Sequence, residues 1–370
     1  MWASNDGQRW TRALDPAEKK LSTINSVLDG QCNISFLVAI AVAGQPLCVD
    51  AFRRAWVRVR QAMPIVAAEP DSGQMMVYEA PIKDEDMGAW VDATLRFVTA
   101  NEGEADHLRA SLNTRLAAPG RAQLVVCIES EETATVVLRV SHAVADVTGC
   151  HALMRCLLVS LLAREHDGND DDGGGRCVSL GGPAALLPPS TRSWLEACHG
   201  PYTEAQLAEG RQVGAHFRSL LAMRTYALPY RSDYRDRQHE SAYLRLCLSD
   251  GLSASQVRAR AARAQLSVTS IVIAAKLLAM RDLFARGDEQ GFVVQVAFNA
   301  RRFFTRRPTP NTTCSSVVGL IACPNVDGLE VLAQHVSREV KALTATPKAS
   351  WQLAAVNATI SADEVHPPAT

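Results

Sequence analysis

The chain has 370 residues, 47% of them hydrophobic and 21% charged, which is typical of folded proteins and excludes a disordered chain. Its formal net charge of −1 at pH 7 gives no general attraction to nucleic acid or anionic lipid, so we expect neither partner. The longest apolar run near the N-terminus, Ile34–Ala43, has about half the length that a membrane-spanning helix needs. We therefore expect a cytoplasmic protein that acts on small molecules and does not bind a membrane.

The ten cysteines are scattered along the chain, mostly within apolar segments. No two of them are spaced as Cys-x-x-Cys, and none belongs to a Cys/His cluster with the spacing of a zinc site. A free thiol in an apolar segment behaves as a small hydrophobic side chain. We therefore expect reduced cysteines, no metal and no bound cofactor.

Strand and helix patterns alternate through the first half of the chain. The run Ile34–Ala43 predicts a buried strand. Helical spacing of Phe52, Trp56 and Val59 predicts a helix over Val49–Met63, which Pro64 ends. Further predicted elements are a strand at 75–79, a short helix at 105–112, a hairpin of strands 123–129 and 133–140, and a helix at 148–163 with Thr148 as its N-cap.

An Asp- and Gly-rich tract, Asp167–Gly175, interrupts this alternation and predicts a flexible linker. We expect an N-terminal subdomain at 1–166, a linker at 167–190 and a C-terminal subdomain at 191–370. Alternation returns beyond the tract, with predicted helices at 203–223, 253–264, 269–284 and 329–343 and predicted strands at 242–248, 292–298 and 315–323. The predicted fold class is α/β, built as two halves of mixed sheet and helices.

A histidine, His142, directly follows the apolar strand predicted at 133–140, and Asp146 lies four residues further on. Histidine suits the role of general base because its side chain titrates near neutral pH, and a strand end followed by a tight turn can aim the ring. A second His-x-x-x-Asp match, His166 to Asp170, falls at the predicted linker, where a fixed geometry is not expected. The strand context therefore favours His142.

A buried carboxylate at Asp146 would need a cationic partner, since burial without one costs several kcal/mol. The strand predicted at 292–298 ends in the sequence Asn299-Ala300-Arg301. A strand end of this kind can bring Arg301 to Asp146. We therefore expect an ion pair between these two residues.

These motifs resemble the chloramphenicol acetyltransferase-like superfamily, which includes plant and fungal alcohol acyltransferases and peptide-synthetase condensation domains. The resemblance covers roughly residues 20–350 and depends on the order of the motifs more than on any one of them. The matching segments are His142 to Gly149, Asn299-Ala300-Arg301, Ser316-Val317-Val318-Gly319, the opening segments 49–56 and 63–66, and 268–275.

The resemblance implies a role for each matching residue. His142 would be the general base, Asp146 and Gly149 would be structural, Arg301 would pair with Asp146, and Asn299 would contact the substrate. The active site would lie in a tunnel between the two subdomains of a monomer. Acyl-CoA would be a co-substrate, with a carrier protein as the alternative donor, and the acceptor would be the hydroxyl or amine of a secondary metabolite.

The chain departs from the family pattern at several points. Ser141 stands where many members have a second histidine, and Val147 stands where many have glycine. The Asp-Phe-Gly-Trp-Gly-type motif of plant members is absent, and members continue with further strands. The resemblance therefore also implies a chain that is short at its C-terminus.

Two alternative functions stay open at this point. The fold can serve a different reaction, such as cyclisation or isomerisation of a pathway intermediate, or it can be a non-catalytic binding protein. Other enzyme classes lack support, because the sequence contains no nucleotide-binding loop, no Gly-x-Ser-x-Gly elbow and no His-Glu-x-x-His motif.

Overall fold

The computed structural model describes residues 2–27, 33–44, 46–71, 74–99, 122–163, 186–223, 253–284, 291–303 and 316–344. These residues form two compact units. The first runs as far as Pro201 and takes up the chain again from Asn299, and the second comprises Tyr202–Phe298 and the chain from Ser316. Each unit has its own hydrophobic core.

The first unit contains most of the described strands. Its elements in chain order are β1 (Ala3–Ser4), β2 (Arg9–Ala13), α1 (Pro16–Val27), β3 (Asn33–Ala41), α2 (Val49–Ala62), β4 (Glu69–Pro70), β5 (Met75–Glu79), α3 (Asp84–Thr94), β6 (Leu95–Thr99), β7 (Gln123–Ile128), β8 (Thr133–Ser141), α4 (Val147–Leu162) and α5 (Thr191–His199). This unit also contains two short 3₁₀ turns, at Pro64–Ala67 after α2 and at Ala300–Phe303.

The main sheet of the first unit has the strand order β3-β8-β7-β6. Strand β8 pairs antiparallel with both β3 and β7, whereas β6 pairs parallel with β7, so the sheet is mixed. The hairpin predicted from the sequence is present as β7 and β8. As a central strand, β8 is buried over nearly its whole length, and this burial accounts for its continuous apolar sequence.

Helices α2 and α4 contribute to the first core together with the main sheet. On α2 the predicted apolar stripe is buried, with Phe52, Trp56 and Val59 at most 1% exposed. Burying each such side chain stabilises the fold by about 1.5–3 kcal/mol. The Trp56 ring stacks on Trp90 of α3 at 5.2 Å, and its Nε1 donates to Thr94 Oγ1 at 2.9 Å. The indole thus contributes both packing and a satisfied buried donor.

A second sheet of the first unit has the order β1-β2-β5-β4. The sequence predicted only β5 of these strands, because β2 carries two arginines and lacks a clear apolar alternation. Arg12 on β2 is nevertheless buried, since it forms a bidentate ion pair with Glu18 of α1 at 2.7 Å. The ion pair with the next element of the chain makes a charged strand residue compatible with the interior.

The second unit comprises α6 (Glu204–Leu221), α7 (Ala254–Arg263), α8 (Val268–Phe284), β9 (Gly291–Asn299), β10 (Ser316–Pro324) and α9 (Leu329–Thr344). Its sheet pairs β9 with β10. The core of this unit contains Phe292 and Ile321 from the sheet and Leu332 and Val336 from α9. The described part of the chain contains no helix that is both long enough and apolar enough to cross a membrane.

The predicted elements that the structure describes are present, with ends within two residues of the predicted ones. The helix predicted at 105–112, the strand at 242–248 and the predicted linker as far as 185 lie outside the described residues. Leu187, within the predicted linker, packs in the first core. By their contacts α5 and Asn299–Phe303 also belong with the first unit, whereas the sequence placed them in the C-terminal subdomain. The mixed α/β fold class is confirmed.

Candidate active site

His142 directly follows the end of the central strand β8 and begins a turn. Two backbone amides, Val144 N and Ala145 N, donate to Ser141 O at 2.9 and 3.1 Å and close the turn. The three residues that follow the histidine are Ala143, Val144 and Ala145, and each is at most 1% exposed. His142 itself is half-buried. The turn is therefore held in the core by its apolar side chains, while the imidazole stays accessible.

Asp146 is the N-cap of α4. Its Oδ1 accepts a hydrogen bond from Gly149 N at 2.9 Å, which satisfies one of the amides that a helix start leaves without a partner. The prediction that Thr148 is the N-cap is wrong, because Asp146 takes that position two residues earlier. Aspartate is the better cap of the two, and its negative charge interacts favourably with the positive end of the helix dipole.

Arg301 forms an ion pair with the same carboxylate. Its Nη1 lies 2.7 Å from Asp146 Oδ2, and the two side chains are 9% and 3% exposed. Both carboxylate oxygens of Asp146 are thus engaged, one by the start of α4 and the other by Arg301. An aspartate held in this way is suited to fixing the turn and not to exchanging a proton with a substrate.

Asn299 connects Arg301 to the start of α4. Its Oδ1 accepts from Arg301 N at 3.0 Å and from Arg301 Nη1 at 3.3 Å, and its Nδ2 donates to Thr148 Oγ1 at 3.2 Å. The sequence named Asn299 as a substrate contact and did not single out Thr148 as its partner. The spacing of residues along the chain carries no signal for a bond between positions 151 apart.

Cys150 lies one helical turn after Asp146 and is buried. Burial, together with the nearby charge of Asp146, raises the pKa of the Cys150 thiol to about 12. The thiol therefore stays protonated near neutral pH and is unsuited to act as a nucleophile. Within the described ranges no group of three or more His, Cys, Asp or Glu side chains is arranged to hold a metal ion.

The five residues that the sequence singled out all belong to the first compact unit. Asp146, Gly149, Asn299 and Arg301 form one hydrogen-bonded cluster, and His142 begins the turn that Asp146 ends. Their roles in a reaction stay predictions. The arrangement fixes Asp146 at the end of the turn that begins with His142, and Arg301 neutralises its charge.

Comparisons with known proteins give a match by structure only. No family model matches the chain, and no curated protein matches its sequence. The TRI3 trichothecene 15-O-acetyltransferase from Fusarium sporotrichioides superimposes with a TM-score of 0.71 at 14% identity, over 99% of this chain and 79% of that one.

Two peptide-synthetase structures are also similar. The first condensation domain of the calcium-dependent antibiotic synthetase gives a TM-score of 0.62 at 14% identity, over 91% of this chain and 76% of that one. The EpoB cyclization-docking bidomain from Sorangium cellulosum gives 0.61 at 13% identity, over 96% and 68%. At these identities the likeness concerns the fold. The chain therefore shares its fold with an acetyltransferase and with a peptide-synthetase condensation domain, in agreement with the fold that the family resemblance implied.

Proposed function

We propose that this chain is an acyltransferase in which His142 is the general base. The acceptor is a hydroxyl, or an amine, of a small molecule such as a secondary metabolite, and the donor is an acyl-CoA thioester. The observation that carries the proposal is the ion pair between Asp146 and Arg301. Asp146 is the last residue of the turn that begins with His142, so the pair holds that turn in place. The similarity of the fold to an acetyltransferase adds support.

The proposed reaction assigns each residue a limited task. His142 takes the proton of the acceptor hydroxyl as the oxygen attacks the thioester carbonyl, so a C–O bond forms and the C–S bond then breaks. The imidazolium returns its proton to the departing thiolate, and free CoA and an ester leave. Asp146 and Arg301 do not exchange protons in this scheme. They hold the turn, because each neutralises the buried charge of the other.

Replacing the proposed base tests this assignment. His142→Ala should lower kcat by about 10²–10⁴-fold, the usual contribution of a general base. Free CoA release, measured with a thiol reagent, would follow turnover of acetyl-CoA with a panel of alcohols and amines. Circular dichroism would check that the variant keeps its fold.

The second His-x-x-x-Asp match supplies a matched control. His166→Ala removes the same side chain from a motif of the same spacing and should leave the rate unchanged. Equal rates for wild type and His142→Ala would overturn the base assignment. A loss of activity in both variants to the same extent would also contradict it, because it would show that the ring of His142 has no special role.

A second candidate is supported by the likeness to the EpoB cyclization-docking bidomain, which indicates that this fold also occurs in a cyclization domain. In that case the chain would catalyse the cyclisation or isomerisation of a pathway intermediate without acyl transfer, and His142 would act as a proton donor. Turnover of such an intermediate, with no CoA released from any acyl-CoA, would favour this reading. Acyl transfer only from a carrier-bound thioester would instead favour a donor of the condensation-domain type.

A further inference from the structure

Asn299 is the last residue of β9, two positions before Arg301. Its three side-chain hydrogen bonds all reach protein groups, two on Arg301 and one on Thr148. An amide oxygen can accept two hydrogen bonds and an amide nitrogen can donate two. Arg301 therefore uses the full accepting capacity of Oδ1, and a single Nδ2 hydrogen is left for any substrate.

The Nη1 atom of Arg301 is shared between two acceptors. It donates to Asp146 Oδ2 at 2.7 Å and to Asn299 Oδ1 at 3.3 Å. An arginine Nη carries two hydrogens, so it can donate to both of these acceptors at once. Because the guanidinium is planar and rigid, its direction toward Asp146 depends on where the Asn299 amide lies.

Thr148 contacts the amide of Asn299 on its nitrogen side. Its hydroxyl accepts from Asn299 Nδ2 in the first turn of α4, the same turn that Asp146 caps. The oxygen of the amide faces Arg301, whose N–H groups can only donate, and the nitrogen therefore faces Thr148. An aspartate at 299 would keep an acceptor for Arg301 and could accept from the Thr148 hydroxyl, but its charge would compete with Asp146 for the guanidinium.

We propose that Asn299 is a positioning residue, with Thr148 as its anchor on α4, and that both act on His142 through Arg301 and Asp146. This role differs from the substrate contact that the sequence suggested. The Asn299 amide fixes the direction of the Arg301 guanidinium, and the guanidinium fixes the position of the Asp146 carboxylate. Asp146 is in turn the last residue of the turn that begins with His142. The kinetic consequence rests on the proposed function, whereas the hydrogen-bonded link does not.

Unfolding measurements test the link without any substrate. Urea midpoints would be compared for wild type, Asn299→Ala, Thr148→Val and the double variant. Because both single changes remove the same bond, the double variant should unfold at the same urea concentration as Asn299→Ala alone. Thr148→Ser keeps the hydroxyl and should keep the wild-type midpoint. Midpoint shifts that simply add in the double variant would overturn the link.

Steady-state kinetics test the effect on His142. Asn299→Ala and Asn299→Asp should lower kcat by up to about 10²-fold, the effect of a small misplacement of a catalytic group, while KM stays unchanged. Thr148→Val should lower kcat by a smaller factor, and Thr148→Ser, which keeps the hydroxyl, should keep the wild-type kcat. A higher KM with an unchanged kcat would show instead that Asn299 binds substrate.

The two measurements separate this proposal from the proposed function. If the wild type transfers no acyl group, the acyltransferase assignment fails, while the urea midpoints still decide whether Thr148, Asn299 and Arg301 are coupled. If the wild type transfers an acyl group but the midpoints add, the proposed function stands and the positioning role fails.

Discussion

At the scale of single residues, Asp146 has two structural tasks that a sequence motif does not separate. Its Oδ1 caps α4 through Gly149 N, and its Oδ2 neutralises Arg301. A helix cap is worth about 1 kcal/mol. Removing one partner from a buried ion pair costs about 3–5 kcal/mol, because the other charge is left without compensation. The ion pair should therefore dominate the contribution of Asp146 to stability.

The two tasks can be separated by two substitutions. Asp146→Asn keeps an oxygen for the cap but removes the charge, so it should cost about 3 kcal/mol of unfolding free energy, and Asp146→Ala should cost about 1 kcal/mol more. Urea denaturation followed by circular dichroism would measure both. Asp92→Asn is the control, since the Arg53–Asp92 pair is 39% and 64% exposed and should be worth less than about 1 kcal/mol. Equal losses for Asp92→Asn and Asp146→Asn would contradict this view.

At the scale of elements, the start of β9 depends on a close approach between two backbones. Gly291 has a φ of +151°, and a Cβ built on it would overlap the carbonyl oxygen of Cys323 at the end of β10. Only glycine permits this approach without a shift of the strands. Gly88 within α3 is the opposite case, since a Cβ there would meet nothing within 4 Å. One kind of substitution is thus expected to have opposite effects at the two positions.

A matched pair of glycine-to-alanine variants tests that contrast. Gly291→Ala should destabilise the protein by about 2 kcal/mol or more, because it combines backbone strain with overlap against an atom that cannot rotate away. Gly88→Ala should stabilise it by up to about 1 kcal/mol, since alanine is the better helix former. Gly44→Ala adds a control for backbone strain alone, because its φ is +74° and the surrounding space is open. The midpoint of thermal unfolding would be measured for all three variants. A Gly291→Ala variant more stable than the wild type would contradict the close approach of the two backbones.

At the scale of the whole molecule, contacts between distant positions hold the N-terminal residues within the first unit. Trp2 Nε1 donates to Pro188 O at 2.7 Å, and Arg192 N donates to Asp15 Oδ2 at 3.4 Å. The guanidinium of Arg12 lies over the Trp2 ring and pairs with the buried Glu18. Burial raises the pKa of the Glu18 carboxyl to about 7, and the charge of Arg12 opposes the rise.

Removal of Arg12 should therefore have a pH-dependent cost. In Arg12→Met the Glu18 carboxyl keeps its burial and loses the cation that lowered its pKa, so its pKa in the folded state stands further above the ordinary value of 4.5. A group whose folded-state pKa is raised favours folding below its unfolded pKa, and that stability is lost as pH rises. The variant should lose about 3–5 kcal/mol near pH 8 and less near pH 5.

Urea denaturation at several pH values between 5 and 8 would measure this dependence. Arg211→Met is the matched control, because its pair with Glu204 is 55% and 80% exposed and should contribute less than about 1 kcal/mol at any pH. The double variant Arg12→Met with Glu18→Gln removes the titrating group and should lose most of the pH dependence. A deficit of Arg12→Met that shrinks as pH rises would contradict the predicted sign.

The sequence by itself determined the elements whose signals are local. Apolar periodicity was enough for α2 and for the β7–β8 hairpin, because helix and strand repeats place every third or fourth, or every second, side chain on one face. The same pattern favoured His142 over His166, since only His142 follows a predicted strand, and its role stays a prediction. The helix at α1 and the strand at β2 were missed, and both bury polar side chains: Glu18, Ser22 and Asn25 on α1 and Arg12 on β2.

Only the tertiary structure decided which polar groups are partners. Arg301 lies 155 positions from Asp146, and Thr148 lies 151 positions from Asn299. The motifs and the family resemblance suggested the first pair, but nothing in the sequence indicated the second, and the sequence pattern predicted Thr148 and not Asp146 as the helix cap. Hydrogen bonds depend on distances of about 3 Å and on direction, and chain folding alone brings such distant groups to that separation.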